Sequence, residues 1–221
     1  MIKENLEKLL LSLPDKNPFG EAVTLVGATK TQSVDAINSA ISAGLKDIGE
    51  NKPQEFRDKF PLVLPCRNHF FGRLQKNKVK YLIGKAFLIQ SVDSFDLAQE
   101  ISRLSCRSGA ETDILMEVNL CEEQKGGIPF ATVIDTYKKI KTLPFIKVCG
   151  LMAVLPDTSD NKCLYDKGRQ MRSLYDIIRK EDDNFKYLSM GMSNDYLIAV
   201  ECGSNMIRIG SKIFGARERR Q

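Results

Sequence analysis

Residues 23–51 read VTLVGATKTQSVDAINSAISAGLKDIGEN and contain one complete unit of the fold. The unit begins with an apolar run at 23–28, continues with Val34, Ile37 and Ile41 at helical spacing, and ends with a second short run at 47–49. Short apolar runs on either side of an amphipathic helix are typical of strands that lie side by side in the same direction. The stretch therefore predicts a strand–helix–strand unit of a parallel sheet.

The same alternation continues along the rest of the chain. Short apolar runs occur at 23–28, 47–49, 70–71, 87–90, 113–118, 146–152, 187–188 and 206–209. Ile2, Leu6 and Leu9 add a helical pattern before the first run. Eight strand–helix units are the repeat of a closed barrel, so we predict an α/β fold, a (β/α)8 TIM barrel with an extra N-terminal helix. An open doubly wound sheet is the alternative, which the lack of a Gly-x-Gly-x-x-Gly after the first run weakens.

The chain is expected to form one domain. No low-complexity linker and no change in composition divides its 221 residues. Within that domain, residues 1–20 would form the N-terminal helix and lead-in, and residues 216–221 a basic tail.

Composition restricts the classes of function. Hydrophobic residues make up 43% and charged residues 28%, a balance typical of globular chains, and the net charge of +5 is too small to indicate a nucleic-acid partner. The apolar runs are too short to span a membrane. Six cysteines without a Cys-x-x-Cys spacing indicate reduced thiols in a cytoplasmic protein. The single histidine, His69, excludes a zinc site with two or more histidines, and we predict no metal.

Lys30 stands at the end of the first apolar run. In parallel barrels the functional residues gather at the carboxyl ends of the strands. A lysine at such a rim can lose part of its hydration, which lowers its pKa and exposes a nucleophilic amine. Lys30 is therefore a candidate for a Schiff base, although most lysines at strand ends are only solvated.

Glycines and hydroxyls surround the last two runs. Residues 189–195 read SMGMSND, residues 203–205 read GSN, and Gly210 and Ser211 follow the eighth run. Glycine allows backbone amides to approach an anion, a helix beginning near residue 194 would add a positive end, and barrels often bind phosphate after strands seven and eight. Arg208 is a charge within an apolar run, so it must face a polar interior or a partner.

A Schiff-base lysine and a phosphate site in one barrel leave two ligands open. Pyridoxal 5′-phosphate (PLP) and the substrate of a sugar-phosphate aldolase both fit this combination. The residues alone do not choose between them.

The order and spacing of several segments resemble the pyridoxal phosphate homeostasis protein family, single-domain PLP-binding barrels related to the N-terminal domain of alanine racemase. The similar region runs from about residue 23 to 217. Its segments are 26–30 (VGATK), 48–51 (IGEN), 69–78 (HFFGRLQKNK), 91–94 (SVDS), 117–119 (EVN), 125–127 (KGG), 150–152 (GLM), 188–195 (LSMGMSND), 203–204 (GS), 207–210 (IRIG) and 213–215 (IFG). Two positions depart from the family: Asn68 replaces a usual Trp, and Asn205 replaces the Thr of Gly-Ser-Thr.

The resemblance implies a cofactor site. Lys30 would hold PLP covalently as an internal aldimine, and Arg208 would lie against the cofactor. The phosphate would lie among serines and glycines of the last two loops, while Asn51 and His69 would project toward the ring. The implied cofactor-binding residues are Lys30, Asn51, His69, Ser193, Gly203, Ser204, Arg208, Gly210 and Ser211.

The resemblance also implies a carrier without efficient turnover rather than an enzyme. Alternatives are a PLP-dependent racemase-like enzyme and a Schiff-base aldolase without PLP. Alanine racemases take a second proton-transfer group from an additional β-domain, and few residues follow 213–215 here. We therefore expect a cytoplasmic monomer that holds PLP, with PLP-dependent apo-enzymes as acceptors and neither nucleic acid nor membrane as partner.

Overall fold

The computed structural model describes residues 1–121 and 126–215, which form a barrel of parallel strands. The strands are β1 (Thr24–Ala28), β2 (Asp47–Glu50), β3 (Arg67–Phe70), β4 (Leu88–Val92), β5 (Thr112–Asn119), β6 (Ile128–Pro129), β7 (Ile146–Ala153), β8 (Tyr187–Ser189) and β9 (Met206–Ile209). Eight of them form the ring β1–β2–β3–β4–β5–β7–β8–β9, which closes where β9 pairs with β1. β6 is a two-residue strand beside β5.

Helices cover the outside of the ring. They are α1 (Ile2–Ser12), α2 (Val34–Ser42), α3 (Pro53–Lys59), α4 (Phe95–Ser108), α5 (Val133–Ile140), α6 (Asn161–Arg179), α7 (Tyr196–Glu201) and α8 (Ser211–Phe214). The N-terminal helix α1 packs on α2 and α8, where the Asn5 amide donates to the Ile213 carbonyl at 3.2 Å. The predicted TIM barrel with an extra N-terminal helix is thus confirmed.

Details of the elements differ from the sequence-based expectations. Each of the eight apolar runs overlaps a strand of the ring, but the two-residue β6 was not expected. The helix expected near residue 194 begins at Tyr196, and a 3-10 turn at Lys76–Tyr81 stands between β3 and β4 where an α-helix would complete the pattern. The basic tail at 216–221 and Lys125 lie outside the described residues.

The barrel interior has an apolar layer and a polar layer. The apolar cluster contains Val26, Leu88, Leu115, Cys149, Met152 and Met206. The side chains of Gln90 on β4 and Ser189 on β8 form a hydrogen bond of 2.7 Å, although these strands are not neighbours in the ring. Such a contact is possible only across the interior, so the barrel is filled partly by hydrogen-bonded polar groups.

An irregularity in β7 changes which of its side chains face the barrel interior. The register of β7 against β5 shifts between Val148 and Gly150. Gly150 has a φ of 153°, and a Cβ there would lie 1.8 Å from the Tyr187 carbonyl oxygen. Only glycine fits this approach of two strands, and the shift leaves Met152 facing the interior.

Within residues 1–121 and 126–215, no helix combines the length and apolar composition needed to cross a membrane. The same part of the chain contains no group of three or more His, Cys, Asp or Glu side chains placed to hold a metal ion.

Candidate functional site

A cavity of about 750 Å³ opens at the carboxyl end of the barrel strands. Most of its wall comes from the ends of β1, β2, β3, β5, β7, β8 and β9 and from the loops that follow them, the position of functional sites in this fold. The polar and charged residues of the wall are Lys30, Asn51, Asp157, Thr158, Ser193, Asn194, Asp195, Arg208 and Ser211.

The loop that carries Lys30 is held on both sides of that residue. Lys59 Nζ donates to the carbonyl of Thr29 at 3.0 Å, and Glu55 Oε2 accepts from the backbone N–H of Thr31 at 3.0 Å. Lys59 also bridges Glu50 Oε1 at 2.8 Å and Glu55 Oε2 at 2.9 Å. These bonds hold Thr31 at a φ of 66°, which is unusual for a β-branched residue. The half-buried Lys30 is therefore presented from an anchored loop.

Asn51 has an unused acceptor at the cavity. Its Oδ1 is buried and receives no hydrogen bond from the described residues, and Asn51 lines the wall one residue beyond β2. A buried polar atom without a partner is costly unless a ligand supplies the missing donor.

The loops after β8 and β9 meet at the wall of the cavity. The Ser193 and Ser211 hydroxyl oxygens lie 3.0 Å apart, one from each loop. Between them the chain passes close to β1, because a Cβ on Gly210 would lie 3.3 Å from the Ala28 carbonyl oxygen. Two hydroxyls that converge beside a glycine provide donors for an anionic oxygen group.

Arg208 forms the charged floor of the cavity. The residue is 5% exposed, and its guanidinium donates to Ser189 Oγ at 2.6 Å and to the Ala153 carbonyl at 2.9 Å. Burial lowers the pKa of Arg208 to about 10, while the carboxylates of Glu117 and Asp195 act in the opposite direction. Arg208 therefore remains a cation at neutral pH, and it forms no ion pair within the described residues.

Two carboxyl groups near Arg208 have raised pKa values. Burial, together with the charge of Asp93, raises the pKa of Glu117 to about 6. Burial also raises the pKa of Asp195, whose Oδ1 accepts from the Met192 backbone N–H at 2.5 Å. At neutral pH the Glu117 carboxyl is still mostly ionised, so its negative charge acts on Arg208 from within the barrel without forming an ion pair with it.

The cavity brings together six of the nine predicted site residues. They are Lys30, Asn51, Ser193, Arg208, Gly210 and Ser211. His69, Gly203 and Ser204 do not line it.

Gly203 and Ser204 lie at the opposite end of the barrel. They precede β9, whose first residue is Met206, so they belong to its amino end. The Ser204 hydroxyl is fully buried and donates to the Met190 backbone carbonyl at 2.8 Å. A Cβ on Gly203 would lie 2.7 Å from Arg172 Cδ. These two residues pack at the amino end of the barrel, away from the cavity.

The two departures from the family pattern also lie away from the cavity. Asn205 Oδ1 accepts from the Leu188 backbone N–H at 2.8 Å, and its amide donates to the Lys186 carbonyl at 2.8 Å. Asn68 donates to the Cys66 carbonyl at 3.0 Å. Neither substitution removes a group from the cavity wall.

His69 is a core residue. Its ring is 0% exposed, and its nitrogens contact Asp47 Oδ1 at 2.9 Å and Gln90 Nε2 at 3.0 Å. Both ring nitrogens are therefore used within the protein. Because β3 ends at Phe70, the residue that reaches the cavity from this strand is Phe71.

Sequence reasoning missed several residues of the wall. Phe71 and Cys121 follow β3 and β5, and a rule that takes every strand end would have found them. Residues 154–158, together with Cys163 and Leu164, form the wall after β7 and carry no recognisable pattern.

Comparison with known proteins assigns the chain a family. Residues 20–218 match the family model described as "Alanine racemase, N-terminal domain". The "Pyridoxal phosphate homeostasis protein" of Aquifex aeolicus is 39% identical over 198 residues, which cover 88% of this chain and 87% of that protein.

Two solved structures show how far the likeness extends. PipY of Synechococcus elongatus with PLP bound has a TM-score of 0.86 and 28% identity, covering 97% of this chain and 100% of PipY. An alanine racemase of Clostridium difficile has a TM-score of 0.81 and 12% identity, covering 99% of this chain and 56% of the racemase. The second likeness concerns the fold alone.

The Glu55 carboxylate, which holds the loop that carries Lys30, makes the stability of the fold depend on pH in the acid range. Burial alone would raise the pKa of Glu55, but hydrogen bonds from Thr31 and Lys59 lower it to about 2. The ionised carboxylate therefore stabilises the fold above about pH 4.5, and this contribution disappears as the pH falls toward 2. Glu55→Gln should lower the free energy of unfolding at neutral pH by about 1–3 kcal/mol.

Urea unfolding at several pH values measures this difference. The difference in the free energy of unfolding between wild type and Glu55→Gln should decrease steadily below pH 4.5. Glu7→Gln, on the exposed face of α1, is the matched control and should stay close to wild type throughout. If this difference is the same in acid as at neutral pH, the stabilising role of the ionised Glu55 carboxylate is contradicted.

Proposed function

The chain belongs to the alanine racemase N-terminal domain family and, within it, to the pyridoxal phosphate homeostasis proteins; on that premise, we propose that it binds PLP in the cavity at the carboxyl end of the barrel. The observation that carries the proposal is that Lys30, Arg208 and the Ser193–Ser211 pair meet in one cavity. The related PipY is described with PLP bound.

The residues of the cavity fit this cofactor. When bound, PLP supplies an aldehyde that condenses with a primary amine with loss of water, a phosphate, and a pyridine ring. Lys30 provides the amine, and we assign the covalent linkage to its Nζ. The hydroxyls of Ser193 and Ser211 provide donors for phosphate oxygens, and Gly210 leaves room for them. The unused Asn51 acceptor remains available for a cofactor donor.

Arg208 is assigned a second role, which concerns the electronic properties of the cofactor ring. Its guanidinium is held by Ser189 and by the Ala153 carbonyl, so it cannot swing away without leaving both acceptors. If the pyridine ring lies beside Arg208, this fixed cation would oppose protonation of the ring nitrogen and would weaken the ring as an electron sink. Such an effect would favour holding the cofactor over carbanion chemistry.

We propose that the protein is a carrier without efficient turnover. Racemisation needs a proton-transfer group on each face of the substrate carbon. Lys30 can provide one, but the described residues that line the cavity include no tyrosine and no histidine. The relative from Aquifex aeolicus is named for homeostasis rather than for a reaction.

We also propose the oligomeric state, the cellular compartment and the acceptors of the protein. We propose a monomer as the functional unit. None of the six cysteines, all within the described residues, forms a disulfide, which supports a reducing compartment such as the cytoplasm. A carrier there would release PLP to PLP-dependent apo-enzymes.

The covalent linkage is tested by reduction and mass spectrometry. After incubation with PLP and borohydride, the adduct should map to the peptide that contains Lys30, because its amine lies in the cavity wall. Lys30→Ala should lose this adduct and the visible absorbance. Lys85→Ala, which removes an exposed lysine, should keep both. An adduct on another lysine, with none on Lys30, would contradict the assignment.

The carrier role is tested by turnover. Racemase, transaminase and decarboxylase assays on PLP-loaded protein should give rates near background, because a missing acid–base group costs about 10²–10⁴ in rate. Lys30→Ala serves as the control for cofactor-independent signal. Turnover that depends on Lys30 and reaches about 1 s⁻¹ would contradict the carrier role.

A further inference from the structure

A continuous row of side chains connects the cavity floor to the opposite end of the barrel. Arg208 Nη1 contacts Ser189 Oγ at 2.6 Å, and Ser189 Oγ contacts Gln90 Oε1 at 2.7 Å. Gln90 Nε2 contacts His69 Nδ1 at 3.0 Å, and His69 Nε2 contacts Asp47 Oδ1 at 2.9 Å. We call these five residues the interior chain. It joins β9, β8, β4, β3 and β2.

The interior chain is shielded from water along its length. Ser189, Gln90 and His69 are 0% exposed, and Asp47 is 3% exposed. At the outer end Arg67 donates to Asp47 Oδ2 at 2.6 Å. Since every buried polar group that lacks a partner is costly, the loss of one member affects its neighbours.

Donor and acceptor chemistry allows the interior chain one orientation. Arg208 only donates, so Ser189 Oγ accepts from it and gives its own proton to Gln90 Oε1. The amide nitrogen of Gln90 then faces His69, whose Nδ1 must accept. The remaining proton of the imidazole lies on Nε2 and is donated to Asp47.

The reverse orientation of Gln90 is disfavoured. Turning the amide would place its oxygen against His69 Nδ1, which would then need a proton as well as Nε2. Burial lowers the pKa of His69 and disfavours that doubly protonated ring, although Asp47 acts in the opposite direction. A neutral His69 therefore selects the Gln90 orientation that supports Ser189.

We propose that Ser189 and Gln90 are positioning residues for the cofactor site, which fix the Arg208 guanidinium at the cavity floor, and that His69 orients Gln90 as a neutral Nε2–H imidazole. The inference rests on the proposed function for what Arg208 contacts. It goes further in assigning roles to three buried residues that do not line the cavity.

The orientation can be tested without cofactor. His69 is the only histidine of the chain, so its two ring-nitrogen NMR signals need no assignment by mutation. The apoprotein should show a neutral ring with the proton on Nε2 at neutral pH. Gln90→Met should shift the Nδ1 signal, because that nitrogen loses its donor. A ring protonated on Nδ1 would overturn the proposed orientation.

The effect on the cofactor is tested with a matched pair of variants. Ser189→Ala removes a buried hydroxyl from the interior chain. Ser105→Ala removes an equally buried hydroxyl, bonded to Thr112 at 2.6 Å between α4 and β5, outside it. Both variants should lose stability, but only Ser189→Ala should weaken PLP binding, by about 3–10-fold. Only Ser189→Ala should also shift the absorption of bound PLP.

The outcomes separate the two proposals. Wild-type protein that binds no PLP overturns the proposed function and the positioning role with it. Wild-type protein that binds PLP, with Ser189→Ala and Gln90→Met equal to it in affinity and spectrum, overturns the positioning role alone. Gln90→Met is the second variant if Ser189→Ala does not fold.

Discussion

The polar side chains of the barrel interior are arranged around the buried guanidinium of Arg208. A cation inside a barrel is costly unless hydrogen bonds replace the water it has lost. Here the Ala153 carbonyl and the Ser189 hydroxyl replace it, and Gln90 in turn uses the remaining proton of Ser189. Each acceptor lies on a different strand, so the charge at the cavity floor depends on the closure of the ring.

The two ends of the barrel have different tasks. At the carboxyl end, Glu50, Glu55 and Lys59 hold the loop that presents Lys30. At the amino end, Glu21 pairs with Arg172 at 2.8 Å beside Gly203, and the Ser204 hydroxyl donates to the Met190 carbonyl. Ion pairs and buried hydrogen bonds thus stabilise both ends, while the carboxyl end also keeps an unsatisfied acceptor, Asn51 Oδ1, for a ligand.

Much of the fold could be predicted because parallel strands buried on both faces appear as apolar runs. The presence of Lys30 and Arg208 at the cavity could be predicted too, since one follows the end of a strand by two residues and the other interrupts an apolar strand with a charge. His69, Gly203 and Ser204 could not be placed this way, because a segment shared with a family does not tell whether its side chains reach the cavity, the interior or the amino end of the barrel. The wall at residues 154–158 depends on packing after β7, which leaves no local pattern.

The most direct test of the central claim is a crystal structure of the PLP-loaded protein. The account predicts continuous density from Lys30 Nζ into the cavity and a phosphate in contact with the Ser193 and Ser211 hydroxyls. It also predicts the ring beside Arg208. Cofactor bound at the amino end near Gly203 and Ser204, or linked to a different lysine, would contradict it.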